Sequence, residues 1–485
     1  MHYLLYVLAL FVAGWGSVRR RRRQQKHGAL ASEHDCLPPP LLVNELPLGI
    51  DRVKQGFKAL SESRFLEFCL ATFRETGYTF EQNILLRQVY DTADPENLEA
   101  MLSSNVDDWN FGVRRQFTSD LLGDGIFTQE GQAWKHSREL LRPQVAYRRY
   151  EDLEVFMEPI DDLLNSLPQS GGVVDLQPIF FRFSLDVTTA FLFGKSVRSL
   201  GSEEGSPERA FADNFDTPQS YIAMRFRVAH LSRLLEGREW RKSCRWVQVF
   251  ADQIIDQHLM DKQLSNGPNR GRSSLLQGVA EGCHDRATLR GQIVNMLVAG
   301  RDTTACLLSW TFFLLVRHPH VMEKLRSEVS EREVVHDQIS RSDLRSMRYL
   351  QNVLKETLRL YPPTVRTSPT LILEGTLANF NIYALHRRPD LYGMDAECFR
   401  PERWDEDLPL FQQKVTRNFG YLPFGAGPRT LDFALTEAVY AVVSILLRYP
   451  AIKLPAGENV QLLGVEKQTV TLVLQSADGC RVELS

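Results

Sequence analysis

Residues 293–316 read IVNMLVAGRDTTACLLSWTFFLLV, a long apolar run interrupted at its middle by Ala299-Gly300-Arg301-Asp302-Thr303-Thr304. Apolar residues at three- and four-residue spacing make the run a helix, and its near-continuous hydrophobicity makes it a buried one. A glycine, an acid and two hydroxyls are costly choices for such an interior. A threonine can bond back to the carbonyl of the preceding turn and open the helix locally, leaving room for a water or a small ligand. The alternative is a polar turn that faces solvent. Both readings stay open on this stretch alone.

Helical spacing recurs around it, over 151–167, 246–264, 286–317, 320–335 and 343–360. Strand-like stretches are short, at 79–89, 371–383 and 465–474, and 202–207 and 265–274 read as exposed loops. The expected fold is mainly α with a small β portion. No repeat or break in composition divides residues 45–485, which read as one domain.

The chain has 485 residues, 43% hydrophobic and 24% charged, a globular composition that excludes disorder and a polytopic membrane protein. Lys plus Arg number 57 against 60 Asp plus Glu, so nothing in the balance points to nucleic acid. Seven cysteines stand at 36, 69, 244, 283, 306, 398 and 480 with no CxxC, which argues against a zinc ribbon or a disulfide framework. Reduced thiols facing the cytosol fit better. No GxSxG elbow, Walker loop or HExxH helix is present.

Residues 3–18, YLLYVLALFVAGWGSV, carry no charge and are followed by five arginines at 19–23. As a helix this stretch spans about 24 Å, enough to cross a bilayer with some thinning and snorkelling. A cleaved signal peptide places its positive charge before the apolar run; here it comes after, which is a signal-anchor order that keeps the body cytosolic. Residues 1–18 are therefore expected to be a membrane anchor and 19–44 a basic, proline-rich linker containing Pro38-Pro39-Pro40.

Three further pieces follow the central run. Glu356-Thr357-Leu358-Arg359 places an acid and an arginine on one helix face, which Leu360-Tyr361-Pro362-Pro363 ends sharply. Such pairs also start at Glu139, Glu323 and Glu397, and those three read as surface ion pairs of little worth. Phe399-Arg400-Pro401-Glu402-Arg403-Trp404 offers Arg403 to a buried network with Glu356 and Arg359. Phe424-Gly425-Ala426-Gly427-Pro428-Arg429 is a glycine-rich loop leading into an apolar helix at 433–447.

In this order the pieces resemble cytochrome P450, the haem-thiolate monooxygenases, over essentially the whole chain. Upstream, Gly123-Asp124-Gly125-Ile126-Phe127 and Trp134-Lys135-His136-Ser137-Arg138, then Leu141-Arg142-Pro143, are similar to the family as well. Tyr383-Ala384-Leu385-His386-Arg387-Arg388 and Phe433-Ala434-Leu435-Thr436-Glu437-Ala438 look most like its fungal alkane and fatty-acid hydroxylases. The resemblance implies haem b as cofactor and Asp302 and Thr303 as the proton-delivering pair. It implies Trp134, Arg138 and Arg429 as propionate ligands, with Arg366 the nearest match for a fourth, and Glu356, Arg359 and Arg403 as a structural brace. It also implies an NADPH-dependent flavoprotein reductase, a hydrophobic small-molecule substrate and the endoplasmic reticulum membrane.

The chain departs from the family at one decisive place. Leu431 stands where the iron-ligating cysteine belongs and Phe433 where a glycine belongs, so the axial cysteine is missing between Thr430 and Asp432. A second shortening lies between Tyr361 and Tyr383. Thiolate donation is what favours O–O cleavage in this family, and leucine has nothing to donate. Cys306 lies one turn beyond Thr303, and Cys398 and Cys480 lie near segments the family keeps off that face. The alternatives are an inactive remnant or a misassembled gene, at most a membrane-bound lipid binder, and a haem isomerase or dehydratase.

Overall fold

The computed structural model describes residues 39–485 except 85–86, 111, 113, 146–152, 229–236, 265–274, 284, 333–338, 364–365, 371–376, 426–430, 459, 461–463 and 465. Its strands are β1 (Thr79–Ile84), β2 (Arg87–Thr92), β3 (Gly172–Asp175), β4 (Arg366–Thr370), β5 (Leu377–Asn381), β6 (Ile452–Lys453), β7 (Gln468–Val470), β8 (Leu474–Ser476) and β9 (Arg481–Leu484). They form a mixed sheet in the order β1-β2-β5-β4, a small sheet β3-β9-β6, and the hairpin β7-β8. In the mixed sheet β2 and β5 run parallel, with Val89 opposite Leu377, and the other pairs are antiparallel.

The helices that bear on the site are α1 (Gly131–Val145), α2 (Leu176–Phe193), α3 (Asp216–Val228), α4 (Arg238–Leu264), α5 (Arg286–Leu315), α6 (Arg348–Leu360) and α7 (Leu431–Arg448). Asp285 caps α5, accepting from the Thr288 N–H at 2.7 Å. Two glycines let α5 lie against its neighbours. A Cβ on Gly291 would stand 2.2 Å from the Asp124 carbonyl oxygen, and one on Gly300 would stand 2.5 Å from Thr188 Oγ1 of α2. The fold is mainly α with small sheets, as expected.

The buried core divides along α5. One hydrophobic cluster takes its N-terminal half to Val298 together with Ile222 of α3 and Val247 and Ala251 of α4. The other takes its C-terminal half from Ala305 with Phe180 of α2, Leu354 of α6 and Val442 of α7. The polar sextet 299–304 is the seam between them. On the second side Trp310 stacks on Tyr361 at 3.9 Å and donates its indole N–H to the Leu474 carbonyl at 3.0 Å, tying α5 to β8.

Some boundaries differ from the sequence expectations. Residues 343–360 are two helices, Arg341–Ser346 and α6, broken at Met347, whose ψ of 81° is not helical. The stretches 79–89 and 465–474 each fall on a hairpin where a single strand was expected, and after Asn381 the chain turns helical at Ile382–Leu385. α2 escapes periodicity because it is buried nearly all round, with Ser184, Asp186, Thr188 and Thr189 enclosed beside its apolar residues. Among the described residues no helix is long and apolar enough to cross a membrane. The expected anchor at 1–18, most of the linker and the loop at 265–274 lie outside the described residues.

Candidate functional site

At the seam, Thr303 Oγ1 donates to the Ala299 carbonyl at 2.7 Å, the back-bond that its position in the helix suggested. Met296, Ala299, Gly300 and Thr303 remain half-buried, an open stripe on a helix otherwise enclosed from Gly291 to Leu315. The solvent-facing alternative fails on Arg301 and Asp302, which are 1% and 0% exposed. Arg301 lies between the rings of Phe181 and Phe215, at 4.7 and 5.0 Å. Its Nη1 donates to Asp302 Oδ1 at 2.8 Å and to Asp216 Oδ1, at the start of α3, at 2.6 Å.

The acid and the alcohol therefore face different ways: Thr303 belongs to the open stripe, while the Asp302 carboxylate is held beside Arg301 and α3. Asp302 Oδ2 is buried without a hydrogen-bond partner. Burial pushes its carboxyl up to about 7, against the opposing pull of Arg301. The folded state thus holds a proton on Asp302 that the unfolded chain, titrating near 3.8, has released. Stability from this group is full below roughly pH 4 and falls as pH rises to about 7. Asp302→Asn is expected to lose that dependence, so its urea midpoint relative to the parent should improve between about pH 4.5 and pH 7.5. A difference constant across that range would sink this reading.

Next to Thr303, Thr304 Oγ1 donates to Glu437 Oε2 of α7 at 3.3 Å. Glu437 is fully buried, which pushes its carboxyl well above the usual range. Sequence reasoning took Glu437 only as part of a resemblance and missed Asp216 altogether. An arginine inside an apolar helix was the available signal that a partner from another element had to exist.

The brace is a closed network. Glu356, Arg359 and Arg403 are each 0% exposed. Glu356 Oε1 accepts from Arg359 Nη2 at 2.8 Å, from Arg403 Nε at 3.2 Å and from the Arg400 backbone N–H at 3.1 Å. Its Oε2 accepts from Arg359 Nε at 2.9 Å and from the Trp404 indole at 3.1 Å. Arg359 also donates to the carbonyls of His386, Ala396 and Cys398. His386 carries the network onward, for its Nε2 accepts from the Leu422 N–H at 2.8 Å and its Nδ1 meets the Arg359 carbonyl at 3.1 Å. Burial and the neighbouring Arg359 cation lower His386 to about 3, so it stays neutral and can accept at Nε2.

Two of the other Glu-x-x-Arg pairs are not the surface pairs expected. Arg326 donates to the carbonyls of Leu446 and Tyr449, at the end of α7, and Arg400 donates to Asp395 and Glu406. Glu139 and Arg142 are both exposed.

On α1, Trp134 and Arg138 share a face, with the guanidinium 5.2 Å over the ring and its side chain exposed. Between them Ser137 is buried, and Gln292 of α5 donates to its hydroxyl at 2.5 Å, which fixes α1 against α5. Arg366 opens β4 opposite Asn381. Arg429 and Thr430 lie outside the described residues.

The donor chemistry does not fit a thiolate-bound haem iron. Residues 424–431 supply no thiol, imidazole, thioether or phenol. Cys306 and Cys480 are buried in the hydrophobic core, burial holds both thiols far from ionisation, and Cys398 is exposed beside the brace. Among the described residues no three His, Cys, Asp or Glu side chains gather to hold a metal ion.

The family model described as cytochrome P450 matches residues 55–459. A cytochrome P450 of Arthroderma benhamiae is 37% identical over 502 aligned positions, 96% of this chain and 95% of its own length. Cytochrome P450 52A1 of Candida tropicalis is 35% identical over 84% of this chain and 80% of its own. The cytochrome P450 monooxygenase himC of Aspergillus japonicus is 34% identical over 90% and 81%.

Proposed function

Because the chain belongs to the cytochrome P450 family, we propose that it is built as a haem-dependent monooxygenase hydroxylating a hydrophobic small molecule, a fatty acyl chain or a secondary metabolite. Electrons would come from NADPH through a flavoprotein reductase. The observation that carries this reading is the open stripe Met296, Ala299, Gly300 and Thr303 at the seam of the core. An apolar guest lies there against residues that need no polar partner, beside one hydroxyl able to hold a proton.

In this reading Thr303 holds that proton at Oγ1, bonded to the Ala299 carbonyl, and Asp302 exchanges it by turning from Arg301. Trp134, Arg138 and Arg429, with Arg366 from β4, would hold the propionates of haem b by charge-assisted bonds. The brace keeps the chain entering the glycine-rich loop at 424–429 in place through His386 and Leu422. Haem supplies the oxygen chemistry when bound.

A second reading, an inactive remnant or a misassembled gene leaving at most a lipid binder, is favoured by the donor-free segment 424–431. Product formation separates the two. With a Cys-x-Gly segment restored between Thr430 and Asp432, reductase, NADPH and an apolar substrate such as hexadecane or palmitate should yield hydroxylated product. A folded, haem-loaded repaired chain with no product from a broad apolar panel overturns the first reading.

The same proposal extends to residues 1–18 as a single span in the endoplasmic reticulum membrane, with residues 45–485 as the cytosolic domain beyond a linker at 19–44. Deleting residues 1–23 is expected to move most of the protein from the microsomal to the soluble or loosely bound fraction on fractionation. Protection of the body from protease inside sealed microsomes would reverse the orientation.

A further inference from the structure

We propose that Arg227 is a specificity residue that recognises the carboxylate of an elongated apolar acid lying along the open stripe of α5. The proposal rests on the reading of that stripe as the substrate site and commits it to an anionic guest.

The two arginines in the last turn of α3 make the contrast. Arg225 is buried and paired: its Nη1 donates to Asp120 at 3.2 Å, and its guanidinium lies 4.9 Å over the Trp240 ring. Arg227 is half-buried, and its Nη2 donates to the Val470 carbonyl at the end of β7. No acidic side chain among the described residues pairs with it. Burial alone lowers it from its ordinary value, with no described anion pulling the other way. Arg326 also meets only carbonyls, but it has two of them, at the C-terminal end of α7, where a cation is favoured. A guanidinium carries five donors, so a single carbonyl leaves most of the Arg227 fork unused. No Arg227 nitrogen is both buried and unpartnered among the described residues, so the donors it does not spend on Val470 stay open to an anion from outside the chain.

Its position says what the anion is attached to. Arg227 follows Asp216 by eleven residues, about three turns and about 16 Å along the helix, so the two share a face. Asp216 meets Arg301 of α5, and Gln219, between them on that face, is buried beside Asp302. Arg227 is the next charged group along this face of α3. Phe226 of α3, Met296 of α5, Ile126 and Leu472 of the β7–β8 turn all pack against the same hydrophobic cluster while remaining partly open. These side chains offer apolar surface to a guest, and Arg227 adds a charge that no described acidic side chain neutralises. An alkyl chain suits the surface, and a carboxylate suits the planar fork, replacing the Val470 carbonyl with two parallel hydrogen bonds.

Equilibrium dialysis of the full chain with radiolabelled palmitate and hexadecan-1-ol tests this without haem or turnover. The parent should hold palmitate at about pH 7.5 by about tenfold or more over the alcohol, a factor set by one charge-assisted pair. Arg227→Gln should lose the preference while keeping the alcohol, which also reports that the site is folded, and Arg227→Lys should keep part of it. Arg227→Glu should prefer hexadecylamine. Equal binding of acid and alcohol by the parent, binding of neither, or an intact preference in Arg227→Gln overturns the proposal. An Arg227→Gln variant that only lowers Tm assigns the residue to capping α3 and overturns it too. Failure of the monooxygenase reading would look different: no product from the repaired chain, with the palmitate preference intact.

Discussion

Glu356→Ala is expected to leave no soluble folded protein. Both carboxylate oxygens of Glu356 are in use, by Arg359, Arg403, Trp404 and the Arg400 backbone, and both arginine side chains are sealed from water. Removing the acid strands two buried cations and an indole N–H at once. Breaking one side of a buried pair costs about 3–5 kcal/mol, against a total stability of about 5–15 kcal/mol. Asp395 on Arg403 cannot take over, because its carboxylate already serves Arg400 as well. Glu356→Gln should be milder, keeping one acceptor oxygen but placing an NH2 group against a donor. Urea midpoints and soluble yield measure both. An alanine variant with an unchanged midpoint would mean that the arginines are satisfied by the carbonyls around them, and that the brace is not what holds this half of the core.

The second expected result is spectroscopic. The unmodified chain should take up haem weakly and give no thiolate-type, red-shifted Soret band on reduction under carbon monoxide, because residues 424–431 offer no sulfur. It should show no turnover with reductase and NADPH. A Cys-x-Gly segment restored between Thr430 and Asp432 should bring back both the band and the activity. In the repaired protein Asp302→Asn should slow product formation and spill electrons, since the side chain that exchanges with Arg301 can no longer carry a proton. A thiolate-type band from the unmodified chain would send the search for the ligand to Cys398 or Cys480. Repair that folds without a band would place the fault in the second shortening, between Tyr361 and Tyr383.

The brace was readable from sequence because its members occupy two short motifs whose order is specific, and a buried acid with two arginines has few other ways to be satisfied. The three other Glu-x-x-Arg pairs share the spacing, yet one lies exposed and two send their arginines elsewhere, which shows that spacing alone does not say whether a face is buried. At the central helix, composition pointed to an unusual interior, and the Thr303 back-bond followed from local geometry. The direction of Asp302 did not, since it depends on Asp216 and Gln219 arriving from α3, and nothing in residues 293–316 encodes that packing. Arg227 was invisible for the same reason: its significance is the absence of an acidic partner among the described residues, which only the folded neighbourhood reveals. α2 was missed because a helix buried all round carries no period.

The division of the hydrophobic core at residues 299–304 has a consequence for how this protein can vary. The half that contains α6, α7 and the brace is knit by charges with nowhere else to go, and substitutions there are penalised wherever they fall. The half that contains α3 and α4 is joined to it chiefly through α2 and α5, and ends in side chains that are only partly covered. Changes of guest can therefore be absorbed on one side while the other stays intact. The molecule works as a vice with one fixed jaw and one that can be recut.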